Sequence, residues 1–317
     1  MHNASPQSLR QAPRLTLRQL HVFLAITRAG STTAAASEVA LSQSAASAAL
    51  NELEGGLGVQ LFDRIGKRLV LNDNGRLLLP QARQMIDAAH TIEQQFAASH
   101  LTSAAGLRIG ASTTIGSYLL PAMLAACAAR HDDAPAQATI ANTADIVAAA
   151  ANFEVDIGLI EGPCRDPELH VVPWLTDELI VVCAPGHPLA GWSAAGGGRK
   201  VPLKALRDAR WLLREPGSGT REAVEQALIP HLHAVLPACE FSNSEAIKYA
   251  AAEGLGLTCL SRWVVADLLD AGKLVELPTT LPALQRHFYV IHGKRKILSP
   301  GLRLLLQFCL EWRPASQ

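Results

Sequence analysis

The chain has 317 residues, 49% of them apolar and 18% charged, and its 28 Lys/Arg balance 28 Asp/Glu. That length and composition predict two or three domains with substantial cores and exclude wholesale disorder. A net charge of zero excludes a global field drawing the chain onto nucleic acid or membrane, so any DNA contact must use a local patch.

No apolar run reaches the ~18 residues of a bilayer span. Residues 1–15 read as a disordered extension without the apolar core of a secretory signal. The chain is therefore expected in the cytoplasm. In that reducing setting the scattered Cys127, Cys164, Cys183, Cys239, Cys259 and Cys309 read as small buried hydrophobes, with a redox pair left open and no metal-ligand spacing.

Residues 16–73 predict a winged helix-turn-helix. From Leu17 to Ala29, Leu20, Phe23, Leu24 and Thr27 recur at helical spacing, and Gly30 stops the run. Ser31 then caps a helix from Thr32 to Ala40, with Ala35, Ala36 and Val39 inward. A third helix runs from Gln43 to Glu54 with Ala46, Leu50 and Leu53 inward and Leu57 continuing that face. Its outward face is Gln43, Ser44, Ser47, Ala48 and Asn51, polar yet uncharged. Ser31, Thr32 and Ser42 sit at the neighbouring helix starts. Gln and Asn can pair with adenine edges, and serine can reach a base or a phosphate. A low-charge surface in an alanine-rich chain is the alternative reading. Next, Leu61–Ile65 and Leu69–Leu71 flank Gly66 and predict a hairpin with Arg64, Lys67 and Arg68 at its tip. Such a wing sets cations along a phosphate backbone or in the minor groove. Residues 14–75 carry six Lys/Arg and five Asp/Glu, so the argument rests on this cluster and not on total charge.

Asn72 or Asp73 can cap a linker helix over 74–98. There Leu78, Ala82, Met85, Ala89, Ile92 and Phe96 alternate spacings of four and three, a dimerisation seam that would set two reading heads on two half-sites. A lone amphipathic helix gives the same pattern.

The run LRQLHVFLAITRAGSTTAAASEVALSQSAASAALNELEGGLGVQLFDR resembles the N-terminal domain of the LysR-type transcriptional regulators. The matching features are Leu17-Arg18-x-Leu20-x-x-Phe23, Gly30-Ser31 before helix two, Ser42-Gln43 before the serine-rich helix, Leu53-Glu54, and Gly58-Val59-x-Leu61-Phe62-x-Arg64. The resemblance extends over the whole chain. Two positions depart from it: Ala48 stands where family members often carry a long polar side chain, and Asn72 where threonine is usual. The resemblance implies an α/β protein with a winged helix-turn-helix, a linker helix and a two-lobed effector domain like a periplasmic binding protein. It further implies homodimers that assemble as tetramers and bend promoter DNA, with RNA polymerase left open as a further contact. No cofactor, metal or catalysis is implied.

Residues 99–106 read as a hinge, and strands then alternate with helices over an effector domain at 106–317. Strands are expected at Leu107–Ala111, Ala138–Ala141 and Val155–Ile160, with helices at Gly116–Arg130 and Thr143–Asn152. Leu179–Ala184 would cross to a second lobe. There the rhythm repeats through Trp211–Leu213, Gly219–Leu228, Glu240–Phe241, Ser244–Glu253, Leu257–Leu260 and Trp263–Ala271. His287–Ile291 would cross back, and Ser299–Trp312 would close on the first lobe. Lobe one is thus 106–184 with 293–317, lobe two 185–292, and the sheet mainly parallel. Residues 190–199 read as a flexible loop.

Ligands in such folds sit beyond the carboxyl ends of the strands, where helix starts converge. Three starts carry hydroxyls: Ser112, Thr113 and Thr114 in lobe one, then Gly217, Ser218, Gly219, Thr220 and Arg221, and Asn243 with Ser244, in lobe two. Free backbone amides at helix starts favour anions. This set therefore predicts a clamp for a small oxyanion, with Arg221 as its cation; an ordinary capped helix at Ser218 is the alternative. The C-terminal half also resembles the family branch controlling sulfur assimilation and carbon fixation, through Glu161 in GLIEG and through HFYVIHGKRKILSP. That likeness implies sulfite or sulfate ahead of a phosphorylated or carboxylate metabolite. No phosphate loop, nucleophile elbow or H-E-x-x-H motif supports an enzyme. His170, His187, His231, His233, His287 and His292 show no partners in the sequence and read as surface or core residues. A free solute-binding receptor would explain two lobes but not the N-terminal third.

Overall fold

The computed structural model describes residues 15–66, 68–96, 106–130, 137–194, 200–235 and 237–314. The extension up to residue 14, Lys67, the hinge at 99–105 and the loop at 195–199 lie outside them. The chain forms two compact units, Met1–Glu93 and Gln94–Gln317.

In the first unit, Thr16 and Gln19 exchange capping hydrogen bonds at the start of α1 (Leu17–Ala29), and Gly30 ends it in the left-handed region. Ser31 caps α2 (Thr32–Glu38) through the Ala34 amide, and Ser42 caps α3 (Gln43–Leu57) through the Ala45 amide. The second helix stops short of the expected Ala40, which adopts φ 53°. The third runs past Glu54, and Leu57 is exposed instead of continuing the buried face. Leu20, Phe23, Ile26, Ala36, Ala46, Leu50 and Leu53 pack on Leu61, Phe62 and Ala82. Phe23 is fully buried, 5.5 Å from the Phe62 ring, a burial that contributes about 1.5–3 kcal/mol. The wing is β1 (Phe62–Ile65) antiparallel to β2 (Arg68–Leu71). Asn72 caps α4 (Asp73–Phe96): its Oδ1 accepts from the Gly75 amide at 3.0 Å, and its Nδ2 donates to the Gln60 carbonyl at 3.0 Å.

The second unit begins with β3 (Arg108–Ser112), a π-helical turn (Ile115–Leu119), α5 (Leu120–Ala128), β4 (Gln137–Ala141), α6 (Thr143–Ala151) and β5 (Ile157–Glu161). The long β6 (Leu169–Cys183) leads to α7 (Gly191–Ala194), α8 (Leu203–Arg207), β7 (Trp211–Arg214), α9 (Gly219–Leu232), β8 (Pro237–Phe241), α10 (Ser244–Ala252), β9 (Thr258–Ser261), α11 (Arg262–Asp270) and β10 (Val275–Glu276). Then β11 (Leu284–Gly293) returns to α12 (Pro300–Glu311). A seven-stranded sheet runs β10-β6-β11-β5-β3-β4, with β9 on β6, and β7 pairs with β8 separately.

The expected parallel rhythm holds for β3 with β4 and β5, and for β7 with β8. The crossing strands do not follow it. β11 is antiparallel to both β5 and β6, so one mixed sheet continues through both lobes. Also, β6 begins well before the expected Leu179. Pro173 and the polar run Thr176–Glu178 disguise that half of the strand. The register shifts between His287 and Tyr289, and Pro173 lies opposite Tyr289, beside this irregularity, a position a strand proline tolerates. In lobe one, α12 packs Leu302, Leu305 and Phe308 with Leu120 and Met123 over Ile109, Ile157 and Phe288.

The cysteines are free thiols: Cys127, Cys183, Cys259 and Cys309 are buried, Cys164 and Cys239 half-buried. Burial pushes the Cys183 thiol up to about 11 and those of Cys259 and Cys309 up to about 12, which leaves them unreactive.

Candidate functional site

The outward face of α3 is organised before any ligand meets it. The Gln43 Nε2 donates to Ser47 Oγ at 2.9 Å and to Thr32 Oγ1 at 3.4 Å, which ties the start of α3 to that of α2. Ser42 and Ser44 share a hydroxyl hydrogen bond of 3.0 Å. The Ser31 hydroxyl accepts from the capped Ala34 amide, so its proton remains free to donate to a phosphate. Gln43, Ser44, Ala48 and Asn51 are exposed, Ser47, Ser31 and Thr32 half-buried. Arg64 and Arg68 are exposed on the wing, and Lys67 between them lies outside the described residues.

The expected seam on α4 divides. Leu78 and Ala82 turn into the core of their own unit, where Ala82 has no exposed surface to offer a partner. Met85 and Ile92 are 44% and 51% exposed, and Ala89 is half-buried beside them. The side chain of Phe96 lies outside the described residues.

In the effector domain, the carboxyl ends of β3, β5 and β7 bring charged groups together between the lobes. The Glu161 carboxylate, at the end of β5, accepts from the Thr114 amide at 2.7 Å and from the Thr220 hydroxyl at 2.8 Å. Arg286 of β11 donates to Glu161 at 2.6 Å and to Asp177 of β6 at 2.7 Å, and Ser261 donates to Asp177 at 2.6 Å. Burial works to raise the Glu161 pKa. The Arg286 charge and the Thr220 and Thr114 hydrogen bonds outweigh it and hold that carboxyl below the usual range. Burial raises the Asp177 pKa despite Arg286. The Ser112 hydroxyl is buried close to Glu161 and helps hold its charge, yet makes no hydrogen bond of good geometry.

Beside this cluster lies Arg214, the last residue of β7. Its guanidinium, with a side-chain exposure of 2%, donates to Ser244 at 2.9 Å and to Thr113 at 3.2 Å, while Glu215 takes its Nε and Nη2. Arg214 thus spans hydroxyls from opposite lobes. The lobes also meet through Gly219. A Cβ there would come within 2.0 Å of the Glu161 carbonyl oxygen, so only glycine permits this approach. The Gly219 amide donates to Thr143 at 3.2 Å, and the Ala144 amide to the Gly217 carbonyl at 3.0 Å.

The structure places the remaining sequence-predicted residues unevenly. Ser218 and Asn243 serve as helix caps, through the amides of Arg221 and Glu245. Arg221 does not join the clamp. Its guanidinium pairs with Glu225 and Glu240 and donates to the Arg214 carbonyl, on a neighbouring groove of about 600 Å³ that Thr143, Cys164 and Arg165 also line. The reason is geometric: one residue beyond Thr220, the helix turns Arg221 toward the acidic residue one turn on. Arg214, Asp177 and Arg286 escaped the sequence reading. For Arg214 the available signal was a charge closing the apolar run Trp211–Leu213 at a strand's carboxyl end. Arg286 sits on the buried face between Leu284 and Phe288. Its partners lie 125 and 109 residues away, and no spacing links them.

A winged helix-turn-helix joined in one chain to a bilobed domain with a buried charge network between its lobes defines an effector-responsive DNA-binding regulator. Residues 17–76 match the family described as "Bacterial regulatory helix-turn-helix protein, lysR family", and residues 102–314 match "LysR substrate binding domain". The chain belongs to the LysR-type transcriptional regulators; it is a regulator and not an enzyme. It is 48% identical over 295 residues to the uncharacterized HTH-type transcriptional regulator YeiE of Escherichia coli K12, covering 93% of this chain and 97% of that one. The fold is similar to CbnR solved with its target DNA, at a TM-score of 0.64 and 19% identity over 93% and 99% of the two chains. It is also similar to the Synechocystis PCC6803 CcmR regulatory domain in complex with 2-PG, at a TM-score of 0.56 and 28% identity over 65% of this chain and 96% of that one. Among the described residues, no helix is long and apolar enough to cross a membrane.

Proposed function

We propose that this regulator senses a small oxyanion between its lobes, with sulfite or sulfate ahead of a phosphorylated or carboxylate metabolite. The observation that carries this reading is Arg214, whose buried guanidinium links Ser244 to Thr113. Glu215 holds the Nε edge of this permanently charged, planar group, and its Nη edge, flanked by the two hydroxyls, suits a compact oxyanion. The Thr114 amide, one residue on from Thr113, and the Thr220 hydroxyl both donate to Glu161. Ionised Glu161 refines the choice, because a carboxylate repels a neighbouring anion unless that anion carries a proton to donate. Sulfite is partly protonated near neutrality and sulfate is not, so sulfite ranks first. The likeness to CcmR bound to 2-PG supports the second reading, a phosphorylated metabolite.

Two chains pair through the exposed part of α4 and assemble further into a tetramer on a promoter, with RNA polymerase as a neighbour. The α3 helix enters the major groove, and the wing sets register on phosphates. An effector acts by favouring one lobe arrangement, and only a difference in affinity between arrangements can do that. Calorimetric titration of the full chain with sulfite, sulfate, phosphate and a phosphorylated carboxylic acid tests the sensing half. Heat from sulfite well above that from sulfate is expected. Binding of the phosphorylated acid alone moves the reading to the second class, and silence from all of them ends it.

A further inference from the structure

The wing exposes an apolar side chain where its own fold has no use for one. Ile65, the last residue of β1, is 66% exposed, and Val70 on the same face of the ribbon is 42% exposed. Ile65 lies opposite Arg68 across a two-residue turn that opens with Gly66 at φ 62°. Strand alternation places Arg64 on the face shared with Phe62 and Leu69, and Ile65 with Arg68, Val70 and the exposed Asp63 on the other. Among the described residues no ion pair holds Arg64 or Arg68, in contrast to Arg28, which Glu38 holds.

We propose that Ile65 docks against the deoxyribose wall of the minor groove, with Arg64 and Arg68 on the phosphates that border it. Charge complementarity carries the choice of occupant. Arg64 and Arg68, without an ion pair among the described residues, put cations at the tip on both faces of a narrow ribbon, with Asp63 set two residues back from Ile65, and such a tip fits a groove with a phosphate strand on either side. Between those strands the groove wall is sugar C–H, an apolar surface that isoleucine can desolvate without asking for a particular base. Such a contact adds affinity and fixes the depth of the wing. It adds little base discrimination and releases no counterions. The inference rests on the reading of the wing as a DNA contact.

The test uses the full chain and a duplex that the wild-type chain selects from a random-sequence pool. Binding is measured across a salt series for Ile65→Ala, Ile65→Val and Arg64→Ala, with hydroxyl-radical footprints and unfolding curves alongside. Ile65→Ala should weaken binding about five- to tenfold, leave the salt slope unchanged and lose protection of the sugars under the wing. Ile65→Val should keep most of the affinity. Arg64→Ala should reduce the salt slope by about 0.9 for each DNA-bound subunit. Wild-type affinity and footprint in Ile65→Ala, beside a weakened Arg64→Ala, sinks this inference alone. No effect from either variant removes the wing reading with it. A change of assembly state with DNA affinity intact would mean that Ile65 meets protein, and would also overturn the proposal.

Discussion

The Thr220 hydroxyl donates to the Glu161 carboxylate at 2.8 Å, and both side chains are buried. This one bond ties the start of α9 in lobe two to the end of β5 in lobe one. Thr220→Val keeps the shape and removes the donor. A buried carboxylate losing a partner costs about 1–3 kcal/mol, so the lobes should separate more readily. Amide hydrogen exchange at residues 219–221 is the readout. Exchange as slow as in the wild type would show that the bond does not hold the lobes.

Two arginines are candidates for the anion partner, and the proposed reading places Arg214 ahead of Arg221. Both are paired with carboxylates, Arg214 with Glu215 and Arg221 with Glu225 and Glu240, but only Arg214 also joins hydroxyls of both lobes, Ser244 and Thr113. Arg214→Ala should lower affinity for the oxyanion at least about tenfold, since a charge-assisted hydrogen bond contributes about 1.5–3 kcal/mol. Arg214→Lys should recover part of it, as a point charge lacks the fork. Arg221→Ala should change affinity far less, and DNA binding without effector should survive in all three variants. Calorimetry and gel-shift titration check both halves. Loss of effector binding in Arg221→Ala alone would reverse the ranking.

The acid side of stability should report on Glu161. In the folded chain, burial is outweighed by Arg286 and the Thr220 and Thr114 hydrogen bonds, so its pKa lies below the ordinary 4.5. A depressed carboxyl pKa stabilises the fold above the ordinary value, and that contribution fades as pH falls through the folded-state value. Asp177 shifts the opposite way, raised by burial against Arg286, and so takes up its proton first. Comparing wild type with Glu161→Gln isolates the first effect. Glu161→Gln should be the less stable chain at neutral pH, and the gap should close below about pH 4.5. Urea midpoints across a pH series measure it, and a gap independent of pH would place the cost of the substitution in shape instead of charge.

How much was legible in the sequence varied with the range of the interaction involved. The helix-turn-helix was readable because its caps act within three residues: Ser31 on Ala34, Ser42 on Ala45. The helix starts at Ser218 and Asn243 were readable for the same reason, with caps on the Arg221 and Glu245 amides, whereas the start after Thr113 has no side-chain cap. The cleft's charge network was not, because Glu161, Asp177, Arg214 and Arg286 come from separate strands and meet only when the sheet forms. The outward turn of Arg221 follows its spacing of four from Glu225, a signal present in the sequence, whereas its second partner, Glu240, is one that local spacing does not bring near. Periodicity also misled on α4. A spacing of four and three marks one apolar stripe on a helix, but it does not say whether one partner or two cover that stripe.

That divided stripe makes the last prediction. Leu78 and Ala82 pack within their own unit, while Met85 and Ile92 are exposed. The two halves should therefore fail differently. Ala82→Leu forces extra volume into a filled core and should destabilise the DNA-binding unit by about 1–3 kcal/mol. Met85→Asp with Ile92→Asp touches no core, so the fold should persist, but two chains could no longer bury that surface against each other. Sedimentation should then show a lighter assembly with an unfolding midpoint near that of the wild type. DNA affinity should fall steeply, because paired heads on adjacent half-sites bind with an effective concentration that a single head lacks. An unchanged assembly in the double variant would assign self-association to another surface and leave α4 as a linker only.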